Sequence, residues 1–349
     1  MAFLWADSCG DHYNAANLLK KWTTDEGLTK SLTTGRNGNG ITGTGGLRIN
    51  LSADCATIII GWAMKLDALP STTQRVLRIY DFTGVGLAGG YQIKVEVDST
   101  GKVNVYRGTG LVDAAAILLG SSAGGVVRGA TFQFYEVKIG FATGATGTVN
   151  VHVDEVTVLT VTNVQTAQSA NAFASIVAFE VNPSAPNIII DDVYVCDATG
   201  AVHNDFLGDN AVLVLLPTAD GRIDQWNFTG AANAYQCVNE NPPDGDTSYV
   251  YEITVNDVEV FAMADLPATV SSVTAVQNIL CARKDAPGGS RTIASAIGDG
   301  ASEVISANNI RPGDDYVFFT EPYDQDPVSA AAWTPAKVNS MQAGGKLIA

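Results

Sequence analysis

The sequence predicts an all-β protein of two antiparallel β-sandwich, jelly-roll-like domains with few short helices. Three observations lead there. Apolar residues recur at every second position over short stretches, the period of a strand with one buried face. Those stretches are separated by Gly, Asp, Asn and Ser, the residues of tight turns. The 349-residue chain holds 35 glycines and is only 16% charged, which suits strands and turns with uncharged Thr, Asn and Ser outside. Its length suggests two domains, placed at 1–204 and 205–349.

The elements follow in order. Ala15–Lys21 has the one helical pattern of the first half, a turn or two long. Thr34–Gly46 is glycine-rich and low in bulk, and within it Gly35–Gly46 is expected to be a flexible or interface-covering loop. Strands are expected at Leu47–Leu51, Thr57–Lys65 and Val76–Asp81. Tyr91, Ile93, Val95 and Val97 alternate with Gln92, Lys94 and Glu96. The turn Asp98-Ser99-Thr100-Gly101 follows, then Val103 and Val105 alternate with polar neighbours. This predicts a hairpin in which Gly101 takes a positive φ. Tyr135, Val137, Ile139 and Phe141 start a second hairpin that turns at Thr143–Gly147. It returns through Val149, Val151 and Val153, with Asn150, His152 and Asp154 outward. Asp154-Glu155 is the next turn, before Val156–Val161. Ser175–Val181 and Ile188–Cys196 complete the first domain.

Alternation stops after Val195 and resumes at Val212, which predicts a boundary between about 198 and 212. Residues 220–248, rich in Asp, Asn, Pro and Gly, read as a long ordered loop. Strands are expected at Tyr249–Val255, Val258–Met263, Val270–Ala282, Arg291–Ala296, Glu303–Ser306 and Tyr316–Glu321. A short helix is expected within Ala330–Met341, limited by Pro335.

Net charge is −16. Such a field repels phosphate backbones and anionic lipid, so neither nucleic acid nor a membrane is an expected partner. The five cysteines are Cys9, Cys55, Cys196, Cys237 and Cys281. They are odd in number, widely spaced and without zinc-type spacing, so reduced thiols are expected. The first residues lack a basic region and a long apolar run, so no signal peptide is expected.

Several short motifs occur in order. They are Asp11-His12-Tyr13, Lys21-Trp22, Ile190-Asp191-Asp192-Val193-Tyr194-Val195, Gly208-Asp209 and Leu216-Pro217-Thr218-Ala219-Asp220-Gly221. Gln225-Trp226, Asn241-Pro242-Pro243-Asp244 and Ala332-Trp333-Thr334 follow. This set resembles virion structural proteins of tailed bacteriophages with an N-terminal laminin-G-like, concanavalin-like jelly roll, over almost the whole chain. The resemblance implies a tail, baseplate, fibre or capsid-surface component in a virion assembled in the bacterial cytoplasm. Its implied partners are other virion proteins and copies of itself. Ser8-Cys9-Gly10 before Asp11 departs from the family, where an aromatic commonly intervenes.

Candidate catalytic groups are sparse. Glycoside hydrolases on the concanavalin-like sandwich use Glu-x-Asp-x-x-Glu, because alternate strand residues can present a carboxylate pair about 5 Å apart. Here Glu96-Val97-Asp98 is followed by Gly101 in the third acidic place, so the segment reads as a solvated hairpin face. Asp191 and Asp192, adjacent on a strand, are expected to face opposite sides and to cap a turn. His12 reads as a packed structural residue, and no Gly-x-Ser-x-Gly elbow is present. No enzyme activity and no cofactor are expected. Structural calcium is the one ion the loop acids could take, at Asp244-Gly245-Asp246 with Glu240. Trp226, Asp244 and Asp246, in the polar loop region, are the ligand-contact candidates. The main expectation is assembly through packing. The alternative is a carbohydrate-binding module for a host surface polysaccharide.

Overall fold

The computed structural model describes residues 2–25, 30–81, 91–108, 116–181, 187–285 and 290–349, and structural statements below refer to these. They form two compact units. One comprises Met1–Gly10 and Trp22–Val212, the other Asp11–Lys21 and Leu213–Ala349.

In the first unit the strands are β1 (Phe3–Asp7), β2 (Thr24–Asp25), β3 (Lys30–Thr34), β4 (Asn39–Gly43), β5 (Gly45–Cys55), β6 (Thr57–Leu66), β7 (Gln74–Tyr80) and β8 (Ile93–Val97). They continue as β9 (Val103–Arg107), β10 (Ile117–Ser121), β11 (Phe132–Gly140), β12 (Gly147–Val153), β13 (Val156–Val164), β14 (Ala174–Val181) and β15 (Ile188–Asp197). An eight-stranded sheet has the order β13-β12-β11-β6-β15-β4-β3, with β1 on β15. A seven-stranded sheet runs β10-β9-β8-β7-β14-β5-β2. The core holds an aromatic chain. Trp5 meets Trp22 at 4.8 Å, Trp22 meets Phe179 at 6.0 Å, Phe179 meets Trp62 at 5.6 Å, and Trp62 stacks on Tyr135 at 5.5 Å. Phe179 lies on β14 of one sheet and Trp62 on β6 of the other, so this chain joins the two inner faces, as sandwich packing requires.

Both expected hairpins form. β8 and β9 pair with Val97 opposite Val103, and Gly101 has φ 72°. β11 and β12 pair with Tyr135 opposite Val153, and at the next turn β12 and β13 are joined by Asp154 and Glu155 at φ 50° and 64°, the two positive values of a type I′ turn. The glycine-rich stretch corrects the expectation of a loop. Lys30–Thr34 and Asn39–Gly43 pair as a hairpin at the end of the eight-stranded sheet. Low side-chain bulk is what the position needs: a Cβ on Gly35 would stand 2.5 Å from Asp191 Oδ2.

Asp191 and Asp192 correct a second expectation. The β6–β15 register shifts between Asp191 and Tyr194, and Asp192 has φ 48°. This bulge brings both carboxylates to one turn. Asp191 Oδ2 accepts from the Arg36 and Asn37 amides at 2.6 and 3.2 Å, while Asp192 Oδ2 accepts from Arg36 Nε and Asn37 Nδ2 at 2.8 and 3.0 Å. Arg36 also pairs with Asp209, and Val212 N donates to Asp192 Oδ1 at 2.7 Å. Nearby, Glu136 accepts from Tyr194 Oη and from Gly208 N. Residues 207–212 are thereby stapled to residues of β11 and β15.

The second unit holds β16 (Pro217–Asp224), β17 (Asn227–Thr229), β18 (Tyr249–Tyr251), β19 (Val258–Met263), β20 (Val276–Ala282), β21 (Ile293–Gly298), β22 (Glu303–Ile310), β23 (Val317–Tyr323) and β24 (Gln342–Leu347). A five-stranded sheet runs β16-β19-β24-β21-β22, beside the pairs β17-β18 and β20-β23. Residues 220–248 are thus not one loop: they contain the end of β16, β17 and a short 3-10 helix over Ala234–Cys237. Strand β24, rich in glycine, is central to its sheet although its sequence carries no alternation. Pro335 starts a helix over Pro335–Ser340 rather than limiting one, with Thr334 Oγ1 accepting from Lys337 N at 3.3 Å, since proline lacks only an N–H that the first turn leaves unpaired. Trp333 sits in the core with Ile297, Tyr323, Val338 and Met341. His12 lies edge-on to Tyr13 and Phe318 at 4.7 and 5.5 Å, the packed role expected of it.

Candidate functional site

Directly paired residues in an antiparallel sheet point to one face. In the seven-stranded sheet one such row runs Arg48, Ala178, Arg78, Lys94, Tyr106 and Leu118 across β5, β14, β7, β8, β9 and β10. Tyr80 and Ile176 pair beside it on one side, and Glu96 and Asn104 on the other. This is the face turned away from Phe179, and on it Tyr80, Tyr91, Ile176 and Ala178 form a buried cluster with Ala116 packed against them. Three arginines or lysines in one row, with Arg75 next to it, stand out in a chain with only 20 Lys and Arg.

The side chains are interlocked. Glu180 accepts from Arg78 and, at 3.4 Å, from Arg75. Lys94 Nζ lies 2.7 Å from Glu96 Oε1 and 4.9 Å from the centre of the Tyr106 ring. The Arg48 and Arg78 guanidinium carbons lie 5.8 and 5.4 Å from the centre of the Tyr80 ring, within cation–π range. The face is recessed: the side chains of Lys94 and Glu180 are 8% exposed and Arg78 12%, while Arg75 reaches 28%. Burial pushes the Tyr80 hydroxyl up from its ordinary range. Burial also holds the Arg48 guanidinium below its ordinary range, and Arg78, a like charge, adds to this.

Chemically the row offers planar guanidinium donors, an ammonium and tyrosine rings on a rigid sheet. Such groups hydrogen-bond sugar hydroxyls or acidic substituents and stack on sugar rings. Glu96 and Lys94, read from sequence as a solvated face, are half-buried and buried because the ion pair and two tyrosine rings enclose them.

The residues singled out from sequence lie elsewhere. Trp226 is half-buried, donates from Nε1 to Asp257 O at 3.2 Å, and packs over Gly345. Asp244 accepts from Ser248 N and Oγ, closing its own turn, and Glu240 accepts from the same hydroxyl at 2.8 Å. Asp246 accepts from Arg283 Nη2 at 2.8 Å and from Tyr316 Oη at 2.9 Å. Asp244 and Asp246 share a turn, and the hydrogen bonds of Trp226 go to a different partner from theirs. Among the described residues no three His, Cys, Asp or Glu side chains converge as metal ligands do. The row on the seven-stranded sheet escaped sequence reasoning because its members come from six strands. The available signal was the crowding of basic residues between Arg48 and Arg107.

No family model matches the chain, and no curated protein does. Solved structures similar to it include an endo-β-1,4-glucuronan lyase from the fungus Trichoderma reesei, at 13% identity and TM-score 0.40, covering 50% of this chain and 91% of that one. A carbohydrate-binding module, CBM66 from Bacillus subtilis, is similar at 13% identity and TM-score 0.32, covering 50% and 94%. A carbohydrate esterase from a Shiga toxin-encoding bacteriophage is similar at 14% identity and TM-score 0.34, covering 50% and 89%. The expectation that this chain is not an enzyme is corrected by the lyases among these neighbours. Likeness at this level assigns it no reaction.

Proposed function

We propose that the chain binds polysaccharide on the outer face of the seven-stranded sheet. The observation that supports this is the row Arg48–Arg78–Lys94–Tyr106 with Tyr80 beside it. It sets donors and rings at the fixed spacing of a sheet, about 4.8 Å from strand to strand, on a scale that suits contact with successive groups of an extended sugar chain. The carbohydrate-directed names of the similar structures agree with this reading. The virion role implied by the ordered motifs ranks second, and glycan binding by a particle-borne protein would satisfy both. The test is binding of the full chain to a glycan array, followed by Tyr106→Ala. Loss of one stacking ring should weaken binding about fivefold, while Tyr251→Ala, in the second unit, leaves it unchanged. Binding that follows Tyr251 rather than Tyr106 would place the site elsewhere. Detection of the protein in purified phage particles by mass spectrometry tests the second reading.

A further inference from the structure

The eight-stranded sheet ends in β13 and the seven-stranded sheet in β10. The two strands pack together, since a Cβ on Gly120 would stand 2.7 Å from the Val161 side chain. One side of the sandwich therefore presents the terminal strands of both sheets. Among the described residues β13 pairs only with β12, and β10 only with β9. Each leaves a row of backbone N–H and C=O groups without a strand partner, and such rows invite another strand unless charge or proline blunts them. Neither strand has either: β13 reads Val156-Thr157-Val158-Leu159-Thr160-Val161-Thr162-Asn163-Val164, and β10 reads Ile117-Leu118-Leu119-Gly120-Ser121. Val156 is 63% exposed, and Ile117 and Leu118 are exposed too. The other terminal strands of the three larger sheets are short or charged. β2 has two residues, β3 carries Lys30, β16 carries Asp220, Arg222 and Asp224, and β22 carries Glu303.

We infer that this edge takes a second copy of the chain, with β13 of one protomer antiparallel to β13 of its partner. Charge favours that occupant: two copies at −16 repel each other, and contact is least opposed where neither strand brings a charged side chain. Residue order favours it as well, because β13 reads nearly alike in both directions about Thr160. Antiparallel pairing there sets Thr160 opposite Thr160, Leu159 opposite Val161, Thr157 opposite Asn163 and Val156 opposite Val164, like with like. Within the chain, Thr160 pairs with Asn150, while Leu159 and Val161 pair with the buried Val151 and Val149. The two-fold pair keeps that parity: Thr160 stays on the outer face, and the half-buried Leu159 and Val161 gain apolar neighbours on the core side. Bulges leave Val158 and Asn163 out of the ladder with β12, and Leu159–Thr162 between them pairs regularly, so the centre of the contact lies on straight strand. A surface that is its own complement closes at two copies.

The test is sedimentation equilibrium of the full chain at rising concentration, where the mass should approach twice that of a single chain. Thr160→Lys should raise the dissociation constant at least about tenfold, because it sets two ammonium groups opposite each other. It also lowers the net negative charge, so general repulsion cannot account for the loss. Ser31→Lys, exposed on β3 at the other end of the sheet, should not weaken the dimer. Thr160→Cys under mild oxidation should give a disulfide-linked dimer, while the native chain and Ser31→Cys, treated alike, should not. Thr160 is exposed in the single chain, so these changes spare the fold, and thermal melting checks that they do. A mass that stays that of one chain at every concentration would overturn the pairing, as would a dimer that Thr160→Lys leaves equally tight. Cross-linking through Ser31→Cys as complete as through Thr160→Cys would overturn the assignment to β13. A dimer weakened by Thr160→Lys yet not joined through Thr160→Cys would overturn the register about Thr160.

Discussion

The Asp191 carboxyl is pushed up to about 7 by burial, reinforced by the neighbouring Asp192 charge and offset by amides of Arg36, Asn37 and Asp192. A folded-state value above the unfolded one means that the folded chain holds the proton more tightly. Its stabilising contribution is then complete below about pH 4 and is lost as pH rises through about 7. Glu259, also raised to about 7, mainly by burial, adds to the same trend in the second unit. Denaturant midpoints should therefore fall between pH 4 and pH 7 through these two groups. Asp191→Asn should flatten the part of that slope belonging to the first unit, because an amide does not titrate. If urea melts of the variant keep the wild-type slope, burial of Asp191 is not its cause. None of this is legible from Asp191-Asp192 as letters. Strand periodicity puts the pair on opposite faces, and only the bulge with Asp192 in the left-handed region turns both toward Arg36 and Asn37.

The β8–β9 hairpin shows an element that the sequence specifies closely. Asp98 Oδ1 accepts from Thr100 N and Lys102 N at 2.8 and 3.1 Å, and Gly101 supplies the positive φ. A Cβ at Gly101 would also stand 2.5 Å from Val127 O. Gly101→Val should thus destabilise by about 3 kcal/mol or more, combining left-handed strain with a backbone clash. Glu96→Ala should lower stability by only about 1 kcal/mol, through loss of the Lys94 pair. Equal melting-temperature losses for the two variants would refute this register. The β3–β4 hairpin and β24 are the contrasting elements. Their glycines read as loop or carry no pattern, because a strand that buries its backbone against neighbours needs small residues more than alternating apolar ones. Tyr194→Phe tests the staple over residues 207–212: losing its bonds with Glu136 and Leu207 N should lower stability by about 1–3 kcal/mol in chemical denaturation. No change would mean that the staple contributes nothing.

At the scale of the molecule, the −16 charge should make association with any acidic glycan depend on ionic strength, with long-range repulsion slowing encounter and salt relieving it. Association rates for a polyuronate should rise from about 0.02 M to 0.2 M salt, and a fall would show that the overall field does not govern encounter. The first compact unit reaches Val212, so a fragment ending at Asn204 should be less stable than one ending at Val212. It lacks the contacts of Leu207, Gly208, Asp209 and Val212, and equal melting of the two would deny these residues a structural part. What the sequence by itself determined is the all-β class, the hairpins with their turn residues, and the buried parity of β12. Those features depend on neighbours within a few positions, where period and turn chemistry act. Only the tertiary structure decided the strand order, the bulge at Asp192 and the row from Arg48 to Leu118. Each depends on strands far apart in sequence coming into register, and a one-residue slip in any of them would turn its side chain to the other face.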